Sequence, residues 1–276
     1  MEPISTIDLF PILDQKLIEL LRSLDEADWE KQTIAPLWKV KDIAAHLLDG
    51  NIRSLSMLRD GYFGERAEHI NSYRDLVDFL NGLNATWVKA MRRVSPAVLI
   101  DLLESTGKEY IDFLKTLPPH ETATFPVAWA GETQSENWFH IAREYTEKWH
   151  HQQQIRLAVG KTQELYSSKL YYPYLDTSMR ALPHHYREVP AGGGEVIRFT
   201  ITAPGSGEWF LYRENDGWDL LEEFGLWPVC EVQIDGEIAW RIFTKGISRQ
   251  EAARRLTITG KTELGERVLD MLAVMA

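Results

Sequence analysis

Cysteine is nearly absent from this chain. The single residue, Cys230, excludes a disulfide within the chain. It lies in the stretch PVCEVQID, which predicts a buried strand, so we expect its thiol to be structural rather than nucleophilic. Long apolar runs are absent too, since none approaches the roughly 20 residues that a membrane-spanning helix needs. The N-terminal residues do not resemble a signal peptide, and a cytoplasmic location is therefore the expectation.

Positive charge is also scarce. The 30 Lys and Arg residues are outnumbered by 41 Asp and Glu residues, which gives a formal net charge of −11, and no basic run occurs. Because phosphate binding requires concentrated basic side chains, this balance argues against a nucleic-acid partner. Hydrophobic residues make up 44% of the chain, which is typical of a folded globular protein. A length of 276 residues favours two domains over one.

Helical periodicity dominates the first part of the chain. Apolar residues recur at intervals of three and four from residue 6 to about residue 160. The pattern predicts five helices, the first beginning near Thr6 and the others covering residues 40–59, 73–93, 96–117 and 136–159. Long amphipathic helices with short connections are typical of an antiparallel bundle, whose sites are built from inward side chains of facing helices. We therefore expect an antiparallel helical bundle in residues 1–163.

The pattern changes after residue 163. The turn-rich segment PAGGGE is followed by the alternating stretch VIRFTITA, which is typical of a β-strand. Further strands are predicted at EWFLYRE, WDLLEE, PVCEVQID and LTITG, and helices at SKLYYPYLDTSMRAL, GEIAWRIFTKG and TELGERVLDMLAVM. Residues 164–276 are expected to form a smaller α+β domain, so the predicted fold class of the whole chain is α+β.

Residues 137–156 carry the most informative pattern in the chain. Imidazole and carboxylate side chains repeat there at spacings of four, three and four, namely His140, Glu144, Glu147 and His151. At about 100° per residue, these spacings put all four within an arc of about 60° on one helix face. Glu147 and His151, one turn apart, can aim a carboxylate oxygen and a ring nitrogen at one divalent metal, although such pairs are more often solvated.

A metal held by Glu147 and His151 needs a further ligand from another helix. His46 is the best candidate, in the apolar stretch KDIAAHLLDG of the second predicted helix. A histidine in such a setting is more often a hydrogen-bonded core residue, so both interpretations stay open from this residue alone. His150 lies about 80° to 100° around the helix from the pair, and we assign it a supporting role.

These two stretches together resemble a known family. The second helix is similar to the signature of the DinB-like superfamily, in its mycothiol-dependent maleylpyruvate isomerase branch, at Trp38, Val40, Asp42, Ala45, His46 and Leu47. The stretch EKWHH at residues 147–151, followed by Ile155 and Arg156, resembles that family's metal-binding helix. Near the C-terminus, IAWRIFTKGIS and LTITGKTELGERVLDMLAVM resemble the domain that accompanies the bundle and is similar to sterol-carrier folds. The resemblance covers nearly the whole chain, and it implies that the bundle in residues 1–163 is a DinB-like four-helix bundle.

The resemblance implies a divalent metal held by His46, Glu147 and His151. This set of ligands suits zinc, although nickel, iron and manganese also accept it. The resemblance also implies a low-molecular-weight thiol such as mycothiol or bacillithiol, and an activity as a thiol S-transferase or a maleylpyruvate-isomerase-like isomerase. The substrate is then expected to be a small electrophile or an unsaturated acid. Arg241 is a candidate for holding a carboxylate of such an acid.

Two other functions stay open from the sequence. A metal-dependent hydrolase would use bound water in place of a thiol, and a non-catalytic binding protein would hold the metal for structural reasons. Glu144 and His140 could orient the ligands or face solvent, and Asp49 and Arg53, one and two turns beyond His46, carry the same ambiguity. Whether the chain forms a homodimer is also open.

Overall fold

The computed structural model describes residues 2–67, 69–214, 217–225 and 227–275. The chain divides into two compact units. The first consists of Met1–Ser5, Phe125–Thr146 and Gln163–Ala276, and the second of Thr6–Thr124 and Glu147–Thr162. None of the described helices is long and apolar enough to cross a membrane. The boundary at residue 163 that the sequence pattern suggests stays a prediction.

Helices account for nearly all regular structure before residue 187. They are α1 (Phe10–Arg22), α2 (Glu26–Trp29), α3 (Val40–Ser54), α4 (Tyr73–Met91), α5 (Pro96–Leu114), α6 (Asn137–Ala158), α7 (Ser168–Met179) and α8 (Leu182–Tyr186). The side chains of Ser72 and Ser95 cap α4 and α5 by accepting hydrogen bonds from the backbone N–H groups of Asp75 and Val98. The helical N-terminal region expected from the sequence is thereby confirmed.

One hydrophobic core holds the helices of the second unit together. Helix α3 packs against α4 and α5, and α1 packs against α5. The core includes Leu17, Leu21, Val40, Ile43, Ala44, Leu48, Leu99, Leu103 and Ile155. Burying a side chain of this size contributes about 1.5 to 3 kcal/mol. Because Ile155 belongs to this core, the core includes the C-terminal part of α6 as well as α3.

The second predicted helix changes its geometry near its end. Helix α3 stops at Ser54, and Leu55–Arg59 forms a π-helical turn in which the N–H of Asp60 donates to the Leu55 carbonyl, five residues earlier. Such a turn accommodates one additional residue in the helix. The side chains that precede Ser54 keep ordinary α-helical spacing, so the face that carries His46 is the one the sequence predicts.

A five-stranded mixed sheet follows the helices. Its strands are β1 (Val196–Ile201), β2 (Gly207–Arg213), β3 (Trp218–Leu221), β4 (Cys230–Ile234) and β5 (Leu256–Gly260). Their order is β3-β2-β1-β4-β5, with β1 and β4 parallel and all other neighbours antiparallel. The five predicted strands are confirmed, and so is the α+β class. Burial raises the pKa of the Cys230 thiol in β4 to about 11.

The long helix predicted over residues 262–275 is wrong. The helices after the sheet begins are α9 (Gly236–Phe243), α10 (Arg249–Ala253) and α11 (Thr262–Gly265), and a 3-10 turn covers Glu266–Asp270. Beyond this turn, the N–H of Ala273 donates to the carbonyl of Phe243. Because that backbone donor bonds to another segment, it is not available for the bond within its own segment that a continuing helix requires.

Candidate metal centre

Helix α3 places His46 beside an aromatic wall. The carboxylate of Asp42 accepts a hydrogen bond from the backbone N–H of Lys39 and so caps the start of the helix. Ala45 and Leu47, on either side of His46, are buried. The imidazole of His46 lies 4.7 Å from the Trp38 ring, between centroids. The helix start and the buried neighbours together fix the direction in which His46 projects.

Helix α6 supplies the other two members of the site. Glu147 and His151 are four residues apart, which stacks them on one face. The Nε2 atom of His151 lies 3.5 Å from a carboxylate oxygen of Glu147. The Trp149 side chain between them is fully buried, so the same helix turn presents one residue to the core and two to the site.

His46, Glu147 and His151 come together as the sequence predicts. One potential ligand atom from each lies within 4.8 Å of the others, and the two imidazole rings are 4.5 Å apart between centroids. Tetrahedral ligands about 2.1 Å from a zinc ion are about 3.4 Å from one another. The Glu147 and His151 atoms, at 3.5 Å, already have this spacing. Among the described residues, this is the group whose side chains can jointly hold a metal ion.

The protonation state of His46 suits a metal ligand. Burial holds the pKa of His46 well below its ordinary value of 6.5, and the charges of His151 and Arg53 lower it further. The imidazole is therefore neutral at pH 7 and keeps a lone pair. Its Nδ1 atom is buried and has no hydrogen-bond partner. Buried polar atoms are rarely left unpaired, and a metal ion would satisfy the ring in a way that the described side chains do not.

Glu147 is the anionic member of the set. Burial would raise the pKa of its carboxyl group, but the neighbouring imidazoles of His150, His151 and His46 outweigh that effect and lower the pKa to about 2. The Glu147 side chain is nevertheless 30% exposed. A charged carboxylate at the edge of the solvent can bind a cation and still leave room for a further ligand.

A glutamine orients the His151 ring. Nδ1 of His151 lies 2.9 Å from Oε1 of Gln154, and because an amide oxygen only accepts, Nδ1 carries the proton. Nε2 is then left with a lone pair on the side that faces Glu147. Partners of this kind fix the tautomer of ligating histidines in metal sites. The sequence analysis did not identify Gln154, although its spacing of three from His151 was a usable signal.

Taken together, the three residues fit a divalent metal. Two imidazoles and one carboxylate form a set of nitrogen and oxygen donors that suits zinc and also accommodates nickel, iron or manganese. Three protein ligands leave at least one coordination position open, which is the feature that distinguishes a catalytic zinc from a structural one.

The other ionisable residues of the stripe have different partners. An Arg143 guanidinium nitrogen lies 2.5 Å from Nδ1 of His140 and donates to a Glu144 oxygen at 3.0 Å. Burial lowers the pKa of His140 to about 4. The ring of His150 lies 3.9 Å from that of His151 between centroids, at a tilt of 38°. His150 is not one of the three residues that can jointly hold a metal. His140 and Glu144 therefore interact with Arg143, and their proposed role in orienting the ligands stays a prediction.

A buried ion pair was also missed. The ammonium group of Lys148 donates to both carboxylate oxygens of Asp14 in α1, at 2.9 and 3.1 Å. A Cβ atom added to Gly107 would lie 2.6 Å from Oδ2 of Asp14, so the small residue gives this carboxylate its space. Lys148 follows Glu147 directly, and the pair ties this turn of α6 to α1. Arg241 donates to the Gly246 carbonyl, and its suggested contact with a substrate stays a prediction.

Three solved structures match this chain to different degrees. A histidine-to-alanine mutant of the mycothiol-dependent maleylpyruvate isomerase has a TM-score of 0.52 and 14% identity, over 94% of this chain and 93% of that chain. A second structure of the mycothiol-dependent maleylpyruvate isomerase has a TM-score of 0.49 and 14% identity, over 88% of each chain. The UbiJ-SCP2 ubiquinone synthesis protein has a TM-score of 0.23 and 18% identity, over 30% of this chain and 73% of that chain. No curated protein matches the sequence.

Fold and site define a helical region with a metal-ligand triad, followed by a region built on a mixed sheet. The first of the solved structures shares this fold over nearly the whole chain. The family model of the mycothiol maleylpyruvate isomerase N-terminal domain matches residues 10–156, which is more than half of the sequence. The chain belongs to that family. The match includes all three residues of the triad.

Proposed function

We propose that the protein is a metal-dependent enzyme that uses a low-molecular-weight thiol, either as a thiol S-transferase or as an isomerase of an unsaturated acid. The observation that carries the proposal is the convergence of His46, Glu147 and His151 within 4.8 Å. Membership of the mycothiol maleylpyruvate isomerase N-terminal domain family supports the choice of a thiol. Mycothiol is the first candidate, and bacillithiol is the second.

The three side chains would hold zinc or a similar divalent ion. Such an ion lowers the pKa of a thiol or water bound to it and supplies a nucleophile at neutral pH. His46 and His151 would contribute imidazole nitrogen donors, and Glu147 would neutralise part of the cationic charge. Because the Glu147 side chain is 30% exposed, a small molecule can reach this edge of the site from solvent.

The two reactions differ in what happens after the carbon–sulfur bond forms. In transfer, the thiolate sulfur attacks an electrophilic carbon, the leaving group departs with its bonding electron pair, and the thiol proton passes to solvent. In isomerisation, the sulfur adds to a carbon–carbon double bond, the resulting single bond rotates, and the sulfur is expelled as the double bond re-forms. The proposed partners are therefore a small electrophile or an unsaturated acid, without nucleic acid or membrane.

Turnover assays with and without thiol test this function. Zinc-loaded protein would be assayed with mycothiol or bacillithiol, against 1-chloro-2,4-dinitrobenzene for transfer and against maleate for isomerisation. The matched variant is Glu147→Gln, which keeps the size of the side chain and removes its charge. Turnover that requires a thiol and falls at least tenfold in Glu147→Gln is the expected result.

The same assays distinguish the alternatives. Hydrolysis of 4-nitrophenyl acetate without any thiol, lost in the same variant, would identify a metal-dependent hydrolase and contradict the proposal. Absence of turnover with every thiol and substrate, in protein that contains its metal, would favour a non-catalytic binding protein.

A further inference from the structure

Two charged residues lie beyond His46 on the same face of α3. Asp49 and Arg53 follow His46 by three and seven residues, which places all three within about 60° around the helix axis. Side chains on a helix lean toward its N-terminus, so the long Arg53 side chain extends back toward His46.

Arg53 and Asp49 do not satisfy one another. Their closest approach, from Nη2 of Arg53 to Oδ2 of Asp49, is 3.6 Å, which is too long for a hydrogen bond. Nη1 of Arg53 and Oδ2 of Asp49 are both buried and have no hydrogen-bond partner. A buried polar group left unpaired costs about 1 to 3 kcal/mol. A pair that served only to stabilise α3 would be expected to close this gap of a few tenths of an ångström.

Asp49 is also a weak counter-ion. Its side chain is only 11% exposed, and burial raises the pKa of its carboxyl group despite the opposing charge of Arg53. The guanidinium group of Arg53 is the cation that lies nearest to this carboxylate, at 3.6 Å. Arg53 therefore has, on the face of α3 that carries His46, a buried donor that the described side chains do not use.

We propose that Arg53 binds a carboxylate of the small molecule that occupies the metal centre. The inference rests on the proposed function and adds to it the side chain that would hold and orient a carboxylate at this site. A guanidinium binds a carboxylate through two parallel hydrogen bonds, which gives orientation as well as affinity. The carboxylate belongs either to the thiol or to its electrophilic substrate, and both sources offer the same chemistry to Arg53.

Binding to the cobalt-loaded protein tests this role without requiring turnover. Cobalt replaces zinc in sites of this type and gives an absorption band when a thiolate binds, so a titration yields a Kd. The two probes are 3-mercaptopropionate, which carries a carboxylate, and 2-mercaptoethanol, which does not. A second arm adds propionate to the 2-mercaptoethanol complex and represents a carboxylate that arrives on a separate molecule.

Four proteins are compared: the wild type, Arg53→Gln, Asp49→Asn, and Arg59→Gln as a matched control. Arg59 pairs with Asp60 and Glu109 at the surface, so its replacement removes the same charge from the same chain segment. Cobalt content and circular dichroism establish that each variant is folded and loaded. Arg53→Gln leaves the buried Asp49 carboxylate without a cation beside it. If this makes the variant unstable, the Asp49→Asn, Arg53→Gln double variant takes its place.

In the wild type, we expect 3-mercaptopropionate to bind about tenfold more tightly than 2-mercaptoethanol, or propionate to perturb the 2-mercaptoethanol complex, since a charged hydrogen bond contributes about 1.5 to 3 kcal/mol. The effect should vanish in Arg53→Gln, persist in Arg59→Gln and increase in Asp49→Asn, which removes the competing carboxylate. An equal effect in the wild type and Arg53→Gln would overturn the role of Arg53 alone. Absence of a thiolate band with every thiol would overturn the proposed function as well.

Discussion

The ring of His151 donates a hydrogen bond from Nδ1 to Oε1 of Gln154, over 2.9 Å. This bond fixes the tautomer, so that Nε2, on the side of Glu147, holds a lone pair in place of a proton. Of the two imidazoles in the triad, His151 is thus oriented by a neighbour on its own helix, whereas Nδ1 of His46 has no partner. The two histidines are prepared for a metal in different ways.

Removing the Gln154 acceptor should weaken metal binding. In Gln154→Leu the His151 ring loses its orienting bond, and zinc affinity is expected to fall about 10-fold to 100-fold, as for other partners of ligating histidines. Competition with a chromophoric chelator measures the affinity. Gln154→Glu keeps an acceptor at the same position and should retain the wild-type affinity or exceed it. Equal affinities in the wild type and Gln154→Leu would rule out this positioning role.

The pair of Lys148 and Asp14 should be sensitive to the loss of one partner. Their side chains are 9% and 18% exposed, so Lys148→Met leaves a largely buried carboxylate without its counter-ion. The free energy of unfolding is expected to fall by about 2 to 3 kcal/mol, measured by urea denaturation of the metal-free protein.

A double variant separates this effect from simple loss of packing. Asp14→Leu combined with Lys148→Met replaces both charges by apolar groups and should recover most of the stability, because desolvation of the pair is no longer required. Asp14→Leu is also measured alone. If the losses of unfolding free energy in Asp14→Leu and Lys148→Met simply add in the double variant, the two groups are not coupled and this interpretation of the pair is wrong.

His140 should make the folded protein sensitive to mild acid. Its folded-state pKa of about 4 lies below the ordinary value of 6.5, so between these pH values the unfolded chain binds a proton that the folded chain does not. Stability from this residue is fully present above pH 6.5 and is lost as the pH falls toward 4. The slope is at most about 1.4 kcal/mol per pH unit.

A His140→Gln variant isolates that contribution. Urea denaturation of the metal-free proteins at pH 7 and pH 5 should give a smaller loss of stability for His140→Gln than for the wild type. The other histidines are the same in both proteins, so their contributions cancel in the comparison. An identical loss in the two proteins would mean that His140 is not responsible for the acid sensitivity.

Much of the fold could be predicted from the sequence because its periodicity is regular. The first residues predicted for three helices, Val40, Tyr73 and Pro96, coincide with those of α3, α4 and α5. The capping residues Ser72 and Ser95 mark the starts of α4 and α5 in the sequence. The site was predictable for a related reason. The spacing of Glu147 and His151 on a single helix fixes their relative position, and a family resemblance supplied His46.

The remaining features depend on tertiary contacts that a pattern does not encode. The segment after Gly265 has the periodicity of a helix. Its backbone nevertheless leaves the helical path, because the N–H of Ala273 donates to the carbonyl of Phe243 in another segment. The pairing of Lys148 with Asp14 joins residues far apart in the chain and relies on the space left by Gly107. Likewise, the spacing of Asp49 and Arg53 in the sequence does not show that their closest atoms lie 3.6 Å apart.

The metal content of the purified protein tests the central claim most directly. Elemental analysis after incubation with zinc would compare the wild type with His46→Ala, Glu147→Ala and His151→Ala, singly and together, and with His150→Asn as the control at the adjacent histidine. We predict about one equivalent of metal per chain in the wild type and in His150→Asn, and its loss when the three ligands are replaced. Metal-free wild-type protein, or equal metal content in the triple variant, would contradict the account.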